Sequence, residues 1–404
     1  MILVEQHIIG KNHKYYEECD KLSFLAKNLY NASLYSIKQH FFDTENYLNY
    51  VKNYHIVKSS VDYKALPAKV SNQVIKLADK NFISFFRLLQ KKLAGKYDKP
   101  VKMPKYLHKT KGRFVLRYEA QALGRKRFKG GIIGLSKTNI EITTKQKNWS
   151  DIKEIRIVPR NNYYVIELVY FKAEKEKRED KGKYCGIDIG LNNLFAVGFN
   201  APDIEPFIIN GRPLKSINQF YNKELARLKS ELEKKNKKKT SERIRKLTLK
   251  RNNKINDYLH RSTRLLVNQI VLTEVNQVVI GLNKSWKQDI NIGKKNNQNF
   301  VSIPHSRAID ILSYKLKLEG INLIIREESY TSKCSFLDGE YPKKREVYTG
   351  RRIKRGLFRS CGGIIINADL NGAYNILKKE IPEAYADGID GLAVNPKLLT
   401  VKSH

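Results

Sequence analysis

Four carboxylates stand at a strand centre, a strand end and a helix start. Asp188 is embedded in the run Tyr184-Cys185-Gly186-Ile187-Asp188-Ile189-Gly190, an apolar strand pattern leading through a Gly/Asn turn into a second apolar strand reaching Val197. A charge among Ile and Gly in a strand core needs a partner, and a metal ion is one. Glu327 and Glu328 follow the strand-like run Ile321 to Ile325, and Asp369 opens a helix after Ile364-Ile365-Ile366. Phosphodiester hydrolysis with two divalent ions needs such a set: one ion activates water, the other stabilises the leaving oxygen, roughly 4 Å away. All-oxygen donors suit Mg²⁺ or Mn²⁺. Plainer roles exist for each acid. Asp369 can cap its helix, and Glu327 and Glu328 can be one exposed acid and one ion pair with Arg326.

The elements that must position these acids can be followed along the chain. Residues 1–12 predict an opening strand broken by Gly10, and the spacing of Cys19, Leu22, Ala26, Leu29, Ser33 and Ile37 predicts a helix from Lys14 to His40. A second helix follows Pro67, with Val70, Val74, Leu77, Phe85 and Leu88 on one face and Lys69, Asn72, Gln73, Lys76 and Lys80 as its polar residues. Such faces are usually only solvated; DNA contact is the functional alternative. Residues 101–175 are rich in short β runs, with Asn161-Asn162 as a hairpin turn. The basic loop Gly124-Arg125-Lys126-Arg127-Phe128-Lys129-Gly130 is either solvated or a phosphate grip. After a charged linker, Lys172 to Lys183, come three strands and a helical hairpin with Asn236–Thr240 at its tip. Two more strands (Gln277 to Gly281, Ile321 to Ile325), a basic insert (Ser332 to Arg359) and a last helix follow. The segment from Pro382 reads as a poorly structured tail.

Composition narrows the partner. The 404 residues carry 77 Lys and Arg against 40 Asp and Glu, a formal charge of +37. That excess calls for a polyanion, and phosphate contacts supply much of the affinity for nucleic acid. Interleaved aromatic residues suit base stacking. No apolar run approaches the roughly 20 residues that span a bilayer, so no membrane partner is expected. No secretory signal is visible, and Cys19, Cys185, Cys334 and Cys361 are too scattered for a disulfide framework. The expectation is an intracellular chain, cytoplasmic and nucleoid-associated.

Gly186-Ile187-Asp188-Ile189-Gly190-Leu191-Asn192-Asn193, Ile209-Asn210-Gly211-Arg212-Pro213-Leu214-Lys215-Ser216, Tyr330-Thr331-Ser332-Lys333 and Asn367-Ala368-Asp369-Leu370-Asn371-Gly372-Ala373-Tyr374-Asn375 resemble the nuclease half of insertion-sequence TnpB proteins. Ala65 to Ser71 and Leu135 to Asn139 extend the resemblance over nearly the whole chain. It implies an RNA-guided DNA endonuclease related to type V CRISPR effectors, using a guide RNA from the transposon end, double-stranded target DNA beside a short flanking motif, and a functional partner transposase. The implied fold is α+β multidomain. Residues 1–12 and 101–178 form an antiparallel β-barrel wedge domain, with an inserted helical recognition domain at 13–100. An RNase H-like (RuvC) α/β nuclease domain spans 179–380, with the basic insert 332–359, and 381–404 is a C-terminal tail. Lys69, Asn72, Gln73 and Lys76 become candidates for reading the flanking motif, with Arg125 and Arg127 as further nucleic-acid contacts.

Two departures stand out. Most TnpB proteins place their second catalytic acid after the strand that reads Val278-Val279-Ile280 here, where this chain has Gly281. The run Gly281 to Gln288 resembles a subgroup whose glutamate is relocated, and the replacement is Glu328 or Glu327; strand alternation lets only one of them face the metal, and Glu328 is favoured. The expected catalytic and metal-binding set is therefore Asp188, Glu328 and Asp369. The family's zinc ribbon of two Cys-x-x-Cys pairs survives only as Cys334 and Cys361, with Leu337 and Phe358 in place of their mates. Two thiols do not complete a four-ligand structural site, so no zinc is expected. The competing functions are a guided DNA-binding repressor without nuclease activity and a transposase accessory protein.

Overall fold

A computed structural model of the chain describes residues 1–236, 240–282, 303–386 and 388–401, the side chains of 235 and 236 excepted. The tip of the helical hairpin and most of the Gly281–Gln288 run lie outside the described residues. The chain divides into two compact units, Met1–Lys172 and Ala173–His404.

In the first unit, strand β1 (Ile2–Ile9) precedes helices α1 (Tyr16–Thr44), α2 (Tyr50–Val57), α3 (Val61–Lys64) and α4 (Ala68–Leu93). Strands β2 (Leu116–Glu119), β3 (Leu123–Gly124), β4 (Ile132–Leu135), β5 (Glu141–Thr143), β6 (Ile152–Pro159) and β7 (Tyr164–Phe171) follow. α1 buries the predicted stripe, Cys19, Leu22, Ala26, Leu29, Ser33 and Ile37, so its helical period is set by one apolar face. β1 pairs antiparallel with β7 in a sheet ordered β1-β7-β6-β2, while β3, β4 and β5 form a separate three-stranded sheet. The pairing therefore makes two sheets, not one closed barrel, among the described residues. At the β6–β7 hairpin Asn162 takes φ 113°, which Asn tolerates better than most residues.

The second unit holds a mixed sheet built from β8 (Tyr184–Asp188), β9 (Asn193–Phe199), β10 (Phe207–Asn210), β11 (Gln277–Gly281) and β12 (Asn322–Arg326). Helices α5 (Arg212–Asn236) and α6 (Glu242–Val271) form the long hairpin after β10, and α7 (His305–Leu318) leads into β12. Strands β13 (Arg351–Lys354), β14 (Leu357–Arg359) and β15 (Ile365–Asn367) form a small antiparallel sheet that runs into α8 (Ala368–Glu380). β8, β9 and β10 are antiparallel neighbours, whereas β11 and β12 join the other side of β8 in parallel. One expectation is corrected here. The segment after Pro382 is not slack: Ala384 and Tyr385 are buried, and β16 (Lys397–Leu399) pairs parallel with Phe207–Ile209 as the sixth strand. Nor is the charged stretch after Lys172 a loose linker: Lys175 pairs with Glu319 and the Arg178 guanidinium donates to the Val275 carbonyl.

Candidate active site

β8 is the central strand, flanked by β9 and β11, and its last residue is Asp188. Helix α8 lies directly on β8 and β9 because two glycines let it. A Cβ at Gly186 would fall inside contact distance of the Ala373 carbonyl, and one at Gly198 would lie 2.6 Å from the Tyr374 ring. That close approach brings the start of α8, with Asp369, to the end of β8 carrying Asp188. Gly372 completes the fit, since a side chain there would meet Asp188 Oδ2 at 2.9 Å. The capping role open to Asp369 belongs instead to Asn367, whose Oδ1 accepts from the Asp369 and Leu370 amides. Asp369 Oδ2 accepts from Asn193 Nδ2 at 2.6 Å, and its Oδ1 lies 3.5 Å from Arg352 Nη2.

The glutamate comes from the neighbouring strand end. A Cβ placed on Gly281 would be 2.6 Å from Glu328 Oε2 and 3.1 Å from Glu328 Cβ. The Glu328 side chain thus fills the space that a residue at 281 would use, so the two positions compete for one volume. Glu327 points elsewhere: it is exposed, pairs with Lys379 at 2.8 Å and accepts from the Ser329 hydroxyl and amide.

Electrostatics separates the acids further. Burial pushes Asp188 well above the usual carboxylate range, and the charges of Asp369 and Glu328 add to that, while Arg352 opposes it. Burial also pushes Glu328 up to about 7, helped by Glu327 and opposed by Lys379. Burial works the same way on Glu327, but Lys379 and Ser329 overcome it and hold that carboxyl below its ordinary value. Asp188 is therefore crowded by two like charges, and only Glu328 of the adjacent pair contributes. Such crowding is relieved by protons or by a cation. The donor chemistry fits a hard divalent ion, though among the described residues no three His, Cys, Asp or Glu side chains are gathered closely enough to form a finished cage.

The basic insert is folded around apolar residues. Phe336 and Phe358 are buried in one cluster with Ile366, Leu370 and Tyr374. The Cys334 thiol is buried against the Tyr341 and Lys343 carbonyls, while Cys361 is exposed. Buried amides of α8 pin the insert: Asn371 donates to the Cys334 carbonyl and Asn375 to those of Thr331 and Cys334. In its hydrogen-bonding orientation Asn192 accepts from Arg355 Nη2 at 2.8 Å, beside the turn that carries Asn193.

Two regions of the chain match family models. Residues 167–287 match OrfB_IS605, described as a probable transposase, and residues 305–376 match the Cas12f1-like TNB domain. Over those two stretches the chain resembles the TnpB family. No curated protein matches it. Two solved structures align over nearly its whole length. A Cas12f1–sgRNA–target DNA complex is 17% identical, covering 93% of this chain and 98% of that one, with TM-score 0.35. The mini RNA-guided endonuclease CRISPR-Cas phi3 is 11% identical, covering 98% and 93%, with TM-score 0.47. Both scores are too low to carry an argument, and the resemblance rests on the two family matches.

The remaining sequence candidates lie in the first unit. Lys69 is exposed in the first turn of α4, Asn72 accepts from Tyr63 Oη at 2.9 Å, and Lys76 Nζ sits 5.6 Å over the Tyr50 ring. Gln73 is a correction: it is 6% exposed and donates to Glu119 at 2.6 Å, so it leaves the polar face. Arg125 and Arg127 are exposed, the first 5.9 Å over Trp149 and the second paired with Glu141. Sequence reasoning missed Asn193 and Arg352 as neighbours of Asp369, and Arg355 as the partner of Asn192. The Arg351-Arg352-x-Lys354-Arg355 run was the available signal for the arginines.

Proposed function

We propose that this is a transposon-encoded, RNA-guided DNA endonuclease that hydrolyses phosphodiester bonds beside a short flanking motif. The observation that carries this reading is the crowding of Asp188 by Asp369 and Glu328 at the end of a central strand. Three antiparallel strands, two parallel additions and a helix laid across them support an RNase H-like (RuvC) nuclease domain over 179–380. The pairing of β1 with β7 supports a wedge domain from 1–12 and 101–178, with the recognition helices of 13–100 between them.

Asp188, Glu328 and Asp369 would hold Mg²⁺ or Mn²⁺. When bound, the metal would supply activated water and stabilise the leaving oxygen. The protein's own part is positional. Asn193 fixes the rotation of the Asp369 carboxylate, Lys379 draws Glu327 away so that Glu328 alone faces Asp188, and Arg352 offers positive charge to an approaching phosphate. Guide RNA and target DNA would be held by basic residues including Lys69, Asn72, Lys76, Arg125 and Arg127, with the guide drawn from the transposon end and mobility supplied by a partner transposase. A cytoplasmic, nucleoid-associated location goes with that role. Guided cleavage by wild type and Asp188→Ala tests the assignment, with cutting expected to fall by several orders of magnitude in the variant. Equal cutting by both would sink it in favour of a binder without nuclease chemistry.

A further inference from the structure

Helices α5 and α6 pack as a hairpin, and a cavity of about 310 Å³ opens between their roots. Its walls include Tyr221, Leu247 and Phe220, the last 63% exposed. The Arg251 guanidinium lies 5.5 Å from the Tyr221 ring centre and donates to buried Asn218 Oδ1 at 2.8 and 2.6 Å, and to Asn252 Oδ1 at 3.0 Å. Those amide oxygens fix the cation's plane. Lys250 and Lys254, exposed and one turn apart, stand at the rim. α6 as a whole carries eight Lys or Arg against two Asp or Glu.

An aromatic face open to solvent beside a fixed guanidinium and two lysines is the combination that grips a single strand, with base on ring and phosphates on cations. A second copy of this chain is a poor occupant, because the same cationic helix would repel it. The root of α5 is tied to the turn that follows β8. α5 starts two residues after Asn210, the Gly211 amide bonds the Asn192 carbonyl at 2.7 Å, and Tyr258 Oη donates to the Asn210 carbonyl. Phe220 follows about 12 Å along the helix. We propose that this slot holds an unpaired nucleotide of single-stranded DNA, its base against Phe220 and its phosphates at Arg251, Lys250 and Lys254. The choice of DNA rests on the nuclease reading above; the stacking geometry does not.

The test uses the full chain and a labelled oligo(dT) of about twelve nucleotides, followed by fluorescence anisotropy. A second oligonucleotide carries 2-aminopurine, whose emission is quenched when its base stacks. Phe220→Ala is expected to weaken binding about tenfold, the range of one stacked base, and to lose quenching. Phe220→Trp keeps both, and the double change Lys250→Ala, Lys254→Ala weakens binding and flattens its salt dependence. Guided cleavage by Asp188→Ala and oligonucleotide binding by Phe220→Ala are scored separately, so loss of the nuclease reading and loss of the slot give different results. Wild-type affinity and quenching in a folded Phe220→Ala would overturn the proposal. So would Phe220 dependence confined to oligo(rU), or a Phe220 effect on self-association in sedimentation with DNA binding unchanged.

Discussion

Glu328 carries a testable charge. Its folded-state pKa of about 7 stands above an unfolded value near 4.5, so between those pH values the folded state holds the proton that the unfolded state gives up. Stability from this group is therefore full below about 4.5 and is lost as pH rises through 7. In the absence of divalent ions, Glu328→Gln should be more stable than wild type at pH 8 by about 1–3 kcal/mol, with the gain gone near pH 4. Thermal denaturation in EDTA across that range reads it. Glu327→Gln should show no such gain, because Lys379 and Ser329 already hold Glu327 ionised. The choice between the two glutamates was half legible in the sequence: alternation says that only one can face the site, but the lysine that removes Glu327 is 52 positions away. Gln73 was misread by residue type. Its spacing of three from Val70 and four from Leu77 puts it on the apolar side of α4, where Glu119 satisfies its amide.

At the scale of elements, the contact of α8 with β8 and β9 decides whether the acids meet. Gly186→Ala should cost about 1–3 kcal/mol or more through forced separation of helix and sheet, whereas Gly362→Ala, whose nearest neighbour would be Ser360 Oγ at 3.9 Å, should change little. Urea denaturation of both variants compares them, and equal stabilities would mean that the helix has room to shift. The strands around Asp188 were readable from their apolar runs, and so was the α5–α6 hairpin from its spacing. The arginines of the insert were not, since Arg352 reaches Asp369 only once Phe336 and Phe358 have packed under α8. β16 was missed for a related reason. Three residues give little periodicity, and their partner strand lies about 190 positions earlier, as the Lys397–Glu205 pair shows at 192.

Across the whole molecule, the excess of 77 Lys and Arg over 40 Asp and Glu was the plainest feature of the sequence, and it gives a thermodynamic expectation. If six to ten phosphates are neutralised, affinity for nucleic acid should fall by about 10³–10⁵ between 50 and 200 mM salt. A log–log titration checks this; a slope near zero would remove phosphate contact as the use of the charge. The division at Lys172 falls at the start of the charged run read as a linker, whose residues are nonetheless tied down by Glu319 and the Val275 carbonyl. The pairing of β1 with β7 bears on how the chain is made. Gln6 and Glu167 bond across 161 positions, so β1 leaves the ribosome long before its partner exists. During that interval both of its edges are open, with Ile2, Val4 and Ile8 still exposed even in the finished sheet. Gln6 interrupts that apolar row, and polar residues discourage an unpaired strand from joining the wrong neighbour. The first unit of the nascent chain is therefore a waiting state, closed only when its last strand is translated.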